Sequence, residues 1–209
     1  MKTDHPIIVI GRRFGAGGRA IGRALASMAG MDYYDKELLE KAAEEYGFSS
    51  EIFARADEKR PSPLKQLLAL SYGVADTYPA DALSGENLFA AQSRVIEALA
   101  LRGPAVFVGR TADHVLRDNP RMLSVFLHAD DAARAERIVA RGDAESGQKA
   151  LELARRRDKD RESYYNYFTG RKWGHAGNYH LTFDSSALSP EDGARMILDF
   201  ARLSGKFTV

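Results

Sequence analysis

The sequence predicts an α/β protein with a parallel sheet, and three observations point there. Five short apolar runs recur along the chain with helical patterns between them. The first, third and fourth are continuous rather than alternating, as strands covered on both faces should be. The first run also leads through a glycine-rich loop into a helical pattern, the kind of junction on which open α/β sheets build ligand sites.

The elements follow in order. Ile7 to Ile10, Asp32 to Tyr34, Ala105 to Val108, Met122 to Leu127 and His180 to Phe183 are the expected strands. Ile21, Leu25 and Met28 fall on one helical face that stops at Gly30. Leu38, Leu39, Ala42 and Tyr46 share another, with Gly47 as its C-cap. Leu88, Gln92, Val95 and Leu99 recur at helical spacing before the Gly103-Pro104 break. Ser189-Pro190-Glu191-Asp192 is a helix start, with an N-cap serine, proline at N1 and acids in the first turn. Two stretches fall outside this alternation. Residues 48–86 carry Pro61, Pro63 and Pro79, and residues 141–178 are rich in arginine and tyrosine without a strand. Both read as insertions over the edge where the strands end, so 1–209 forms one domain with a core of 1–47, 87–140 and 179–209.

Composition narrows the function. The chain has 209 residues, 44% apolar and 28% charged, and no cysteine, which excludes disulfides, thiolate metal sites and cysteine nucleophiles. No apolar run reaches membrane-spanning length, and the first residues lack a signal-peptide pattern, so a cytoplasmic location is expected. The net charge of +1 speaks against a nucleic-acid binder judged on total charge. Within that near-neutral balance stand 21 arginines against 9 lysines. The planar guanidinium fork matches phosphate and carboxylate, which an ammonium does not.

The most informative segment is the loop after the first strand, Gly11-Arg-Arg-Phe-Gly-Ala-Gly-Gly-Arg19. Successive backbone N–H groups of such a loop, with the helix N-terminus behind them, form a cradle for anions. Gly15-x-Gly17-x-x-Ala20, with Asp35 twenty residues on, also fits a dinucleotide fingerprint. Four residues separate the strand from Gly15, and that longer turn favours a phosphate-binding loop of the Walker type. Setting Gly17 at the last glycine of G-x-x-x-x-G-K-[ST] puts Arg12 at the first glycine, Gly18 at the lysine and Arg19 at the hydroxyl that would hold Mg²⁺. The cradle survives while its usual charge and metal ligand do not, and Arg12, Arg13 and Arg19 are the available cations.

Together with this loop, the segments MDYYDKELLEKAA (31–43), GPAVFVGRTADHVL (103–116), LSVFLHADDAARAERI (123–138), DKDRESYYNYFTGRKWG (158–174) and YHLTFDSSALSPED (179–192) resemble the cytidylate kinase-like P-loop proteins. The resemblance implies the P-loop nucleoside-monophosphate kinase fold: five parallel strands, helices on both faces, an acceptor-binding insertion at about 48–86 and a lid at about 141–178. It implies phosphoryl transfer from ATP, with Mg²⁺, to CMP or dCMP; small nucleotides would be the partners, and neither nucleic acid nor membrane. A phosphate-binding sensor with little transfer, or a kinase of another small acceptor, are the alternatives.

Residue roles follow from the same match. Arg12, Arg13, Phe14, Gly15, Ala16, Gly17, Gly18 and Arg19 would bind the ATP phosphates. Asp35, which also suits an N-cap, matches an aspartate bordering the acceptor site. Arg110 matches the arginine of the GRD motif that meets the acceptor, with Val108 and Thr111 where acids stand in cytidylate kinases. Asp158 and Arg161 match a D-x-x-R pair that meets the acceptor's sugar and phosphate, and share a helix face. Arg13, Arg157 and Arg161 are the expected catalytic cations. No residue is assigned as a metal ligand. Arg137 and Arg141 flank the lid entrance. Tyr164, Tyr165, Tyr167 and Phe168 are expected to pack lid against core, and Trp173, His114 and His180 to be structural.

Overall fold

A computed structural model describes residues 4–39 and 85–207. Its sheet has five parallel strands in the order β2-β3-β1-β4-β5: β1 Ile7–Arg12, β2 Asp32–Tyr34, β3 Ala105–Val108, β4 Met122–His128 and β5 Leu181–Asp184. The helices are α1 Gly18–Ala29, α2 Gly85–Arg102, the short α3 Ala112–Val115, α4 Asp131–Ala140, α5 Gly147–Thr169 and α6 Pro190–Leu203. Residues 36–39 are also helical, directly after β2.

The sheet is covered on both faces because its central strands β1, β3 and β4 are buried along nearly their whole length. Ile8 and Ile10 of β1 point to the side where Ile21 and Leu25 of α1 and Ala194, Ile197 and Ala201 of α6 pack. Ile7 and Val9 point to the other side, against Val95, Ile96 and Leu99 of α2. Burying each such large side chain contributes roughly 1.5–3 kcal/mol. Gln92 shares the buried face of α2 because Tyr164 Oη donates to its Oε1 at 3.0 Å.

Some expectations shift. Met28 is 44% exposed, since the buried face of α1 is made by Gly18, Ile21, Gly22, Leu25 and Ala26. Leu38 is likewise exposed while Leu39 is buried. β1 extends two residues further than its apolar run, because Gly11 and Arg12 still pair with Phe126 and Leu127. β5 begins at Leu181, and His180 instead receives the backbone N–H of Ser124 on its Nδ1 at 3.0 Å. The N-cap of α6 is as expected: Ser189 Oγ accepts from Asp192 N at 3.0 Å. Ala42, Tyr46 and Gly47, and nearly all of the expected insertion at 48–86, lie outside the described residues. Most of 141–178 is one helix, α5, capped by Ser146 and stopped by Gly170 in the left-handed conformation. No helix among the described residues is long and apolar enough to cross a membrane.

Candidate phosphate-binding site

The C-terminal ends of β1, β2 and β3 open into a cavity of about 1000 Å³. Its floor is the loop Arg12–Arg19, and α5 forms one wall with Leu153, Arg156, Arg157, Asp160 and Arg161. Lys36, Glu37, Arg110, Arg141 and Asp143 complete the lining. Nine lining side chains are cationic and three acidic, so the cavity is a strong local exception to the near-neutral chain. Low-dielectric walls concentrate such a field and favour polyanionic ligands.

The loop leaves β1 with Arg13 N donating to Leu127 O at 2.9 Å, then turns at Gly15 and Gly17, whose φ values are +83° and +75°. Gly17 is the N-cap of α1, so the helix points its N-terminus into the loop. Among the described residues, the N–H groups of Gly15, Gly17, Gly18 and Arg19 meet no protein acceptor, the condition for an anion cradle. Phe14 and Ala16 differ from expectation. Phe14 N donates to Asp158 Oδ1 at 2.7 Å, and Ala16 N donates to Arg13 O at 3.3 Å. Their N–H groups are therefore committed inside the protein, and the cradle is narrower than the whole loop.

Two lysine-position consequences are visible. Gly18 leaves room for the Arg12 side chain, since a Cβ there would lie 2.9 Å from Arg12 Cγ. The guanidinium of Arg12 then occupies the place a Cβ on Gly109 would need. Arg12 thus threads between the loop and the end of β3 and presents its charge from the side.

After β3 the chain takes three left-handed residues in succession: Gly109 (φ +83°), Arg110 (+61°) and Thr111 (+58°). Non-glycine residues adopt this conformation at a cost of about 1–2 kcal/mol each. The turn places Arg110, 3% exposed, on the cavity wall. Downstream, Asp113 accepts the Tyr165 hydroxyl at 2.8 Å, which fixes the short α3 to α5. Burial pushes the Asp113 carboxyl above its ordinary range, against the pull of that bond, and raises Tyr165 as well.

Asp158 and Asp35 are both absent from the cavity lining. The second oxygen of Asp158 pairs with Arg134 Nη2 at 2.5 Å, and Arg134 Nε donates to Phe14 O at 2.8 Å. Both carboxylate oxygens are thus held by protein, one by the loop and one by α4. Asp35 caps the helical residues after β2, accepting from Glu37 N at 3.1 Å and Leu38 N at 3.3 Å. Its other oxygen lies 3.2 Å from Tyr33 Oη and 3.7 Å from both Arg19 Nε and Arg23 Nη2. Burial, then Asp35, pushes the Tyr33 phenol up to about 12.

Arg13, Arg157 and Arg161 all line the cavity. Arg161 lies over the Phe14 ring (5.4 Å to its centroid), as does Arg141 (5.3 Å). The sequence reading missed Arg134. Its signal was present, an arginine four residues before Ile138 on the buried face of α4, where a core residue would be expected. Arg137 donates to Ser185 O at 2.7 Å, tying α4 to the end of β5. Tyr164 and Tyr165 are buried as expected, but Tyr167 is 45% exposed and donates to Glu86. Trp173 packs edge-on against Phe126.

With this geometry in place, comparison with known sequences becomes decisive. Residues 7–187 match the cytidylate kinase-like family. The chain belongs to that family. A search of curated proteins finds no match. Among solved structures, an uncharacterized protein from Eubacterium ventriosum ATCC 27560 superposes with a TM-score of 0.71 at 24% identity, covering 94% of this chain and 98% of its own. A gluconokinase from Sinorhizobium meliloti 1021 matches with a TM-score of 0.53 at 18% identity, over 98% of this chain and 96% of its own. A shikimate kinase from Acinetobacter baumannii, in complex with shikimate, matches at 0.52 and 16% identity, over 99% and 97%. These family and fold matches make the molecule a P-loop kinase fold, in agreement with its strand order.

Among the described residues, the usual protein seat for Mg²⁺ is not formed. Arg19 occupies the hydroxyl position of the loop, and Val108 and Thr111 flank Gly109-Arg110. Among the described residues, no group of three or more His, Cys, Asp or Glu could hold a metal ion. Mg²⁺ favours a near-octahedral oxygen shell, and these side chains do not supply the protein part of one.

Proposed function

We propose that the protein transfers a phosphoryl group from ATP to a nucleoside monophosphate, with CMP or dCMP the first acceptors to test. The observation that carries this reading is the composition of the cavity: open loop N–H groups, Arg110 just past the end of β3, and Arg157 and Arg161 from α5 all line the same space. Two anionic groups can therefore share one cationic cavity. Family membership supports the same reaction class.

Phosphoryl transfer needs alignment and positive charge more than covalent participation by the protein. The N–H groups of Gly15, Gly17, Gly18 and Arg19 hold the donor phosphates. Arg12 and Arg13 offset the charge that a Walker lysine would meet. Arg110 holds the acceptor phosphate, rigidly because it is buried in a strained turn. Arg157 and Arg161 stabilise the equatorial oxygens of the group in flight, and the latch of Asp158 on Phe14 keeps α5 at the distance this requires. Residues 48–86 and 141–178 are the acceptor-binding and lid parts of this reading, and the reaction is placed in the cytoplasm.

The test is a coupled ADP-release assay with Mg·ATP across CMP, dCMP, UMP, AMP and GMP. Gluconate and shikimate are added as acceptors because fold neighbours are kinases of those names. Turnover with CMP or dCMP above the rest is the expected result. ATP binding without turnover on any acceptor would support a second reading, a phosphate-binding sensor, which the glycine at the lysine position favours.

A further inference from the structure

We infer that the Arg19 guanidinium takes the place of the protein-bound divalent cation, so that this loop binds nucleotide phosphates as a metal-free polyanion. The inference rests on the nucleotide-binding reading above. Residue 19 stands where a P-loop hydroxyl would ligate Mg²⁺, in the first turn of α1. Its Nη2 lies 2.9 Å from Glu37 Oε1 and its Nε 3.7 Å from Asp35 Oδ2.

These carboxylates come from the turn after β2 and are the ones that residue 19 meets. Both are already met by a guanidinium, and Arg23 adds a second cation 3.7 Å from Asp35. A divalent ion here would lose the hydroxyl, compete for both carboxylates and sit against a fixed positive charge. The exchange is charge for charge across one gap: a cation still bridges the loop helix to the β2 turn, but it is covalently part of the chain. The bridge also faces the ligand, because Arg19 lines the cavity with its side chain 48% exposed. Arginine has five N–H donors in a planar fork, so the acid contacts leave donors for phosphate oxygens.

The experiment is calorimetric titration of the full chain with ATP and with a non-hydrolysable ATP analogue, in EDTA and in excess Mg²⁺. Wild-type affinity is expected to change by less than about threefold between the two conditions, and Arg19→Ser to weaken by about tenfold or more in EDTA, the loss of one charge-assisted contact, and to recover in Mg²⁺. Arg19→Lys, which keeps the charge, should stay insensitive to Mg²⁺ and show whether charge alone suffices if the serine variant fails to fold. Wild-type binding that collapses in EDTA, or a serine variant with the wild-type response to Mg²⁺, would overturn the inference and leave the nucleotide reading standing. Failure of folded wild type to bind ATP, its analogue or inorganic tripolyphosphate in either condition would overturn the nucleotide reading itself.

Discussion

Asp158, in the middle of α5, accepts the backbone N–H of Phe14 at 2.7 Å, joining the arginine-bearing wall directly to the glycine loop. Arg134 completes the grip by holding the carbonyl of Phe14 and the second carboxylate oxygen of Asp158. The backbone of one residue is thus held at both its N–H and its carbonyl by an ion pair whose arginine is 4% exposed. Removing one partner of such a pair leaves the other charge uncompensated.

Asp158→Ala is therefore expected to cost about 3 kcal/mol of stability in a urea titration, somewhat below the cost of breaking a fully buried pair because Asp158 keeps some exposure. Asp158→Asn should lie between, since the amide oxygen can still accept from Phe14. Phosphate affinity should fall in the same order, because a released Phe14 lets the loop relax. A full-affinity alanine variant would show that the loop holds its shape without α5.

Arg161 differs from its neighbour three residues earlier in what it touches. It lines the cavity, lies over the Phe14 ring and donates to Arg12 O at 3.4 Å. Arg161→Ala should lower turnover on the order of 10²-fold, the scale of losing one preorganised charge at a developing anion. Its stability should fall by only about 1 kcal/mol, the worth of a cation–π contact that is not fully desolvated. Unchanged turnover would remove Arg161 from the site, and a melting temperature many degrees lower would make it structural.

The contrast between these two residues shows what was legible in the sequence. The continuous apolar runs became β1, β3 and β4 because burial on both faces leaves a one-dimensional trace, the more polar runs became the edge strands β2 and β5, and Gly15 and Gly17 marked positive φ directly. The arginines lining the cavity followed from their places after strands and along one helix. The direction of Asp158 did not, because D-x-x-R spacing puts both residues on one face without saying what that face meets. Arg134 was hidden for a similar reason: its local partner Asp131, one turn back, does not account for an arginine buried on an apolar stripe, and Asp158, 24 residues away, does. Asp113 and Tyr165 are separated by 52 residues, and nothing in either neighbourhood announces the other.

Gly109 is the tightest point in the site. Its φ of +83° is costly for any side chain, and a Cβ would displace the Arg12 guanidinium. Gly109→Ala should cost about 1–2 kcal/mol from backbone strain alone. It should also weaken phosphate binding by moving Arg12. Combining it with Arg12→Ala separates the two effects: the binding losses should not add, whereas the strain cost should persist. Additive binding losses would place Arg12 outside the phosphate contact.

The Asp113–Tyr165 bond makes a prediction whose sign depends on protonation. The folded Asp113 carboxyl lies above its ordinary value because burial disfavours the charge, and the Tyr165 hydroxyl partly offsets this. Tyr165→Phe removes that donor, so the folded value rises further and the charged form is left worse solvated. A group raised on folding stabilises most below its unfolded value, and that contribution is lost as pH rises through the folded value. The variant should therefore be less stable than wild type at neutral pH, by about 1–3 kcal/mol for an unsatisfied buried acceptor. The deficit should shrink as pH falls toward the ordinary carboxylate range. Taking the difference from wild type at each pH cancels the opposing effect of His114 and His180, whose values are lowered by burial and which destabilise the fold as they gain protons below about 6.5. Paired urea titrations across this range decide the matter: a deficit independent of pH would mean that Tyr165 acts on the fold through packing and not through the Asp113 charge.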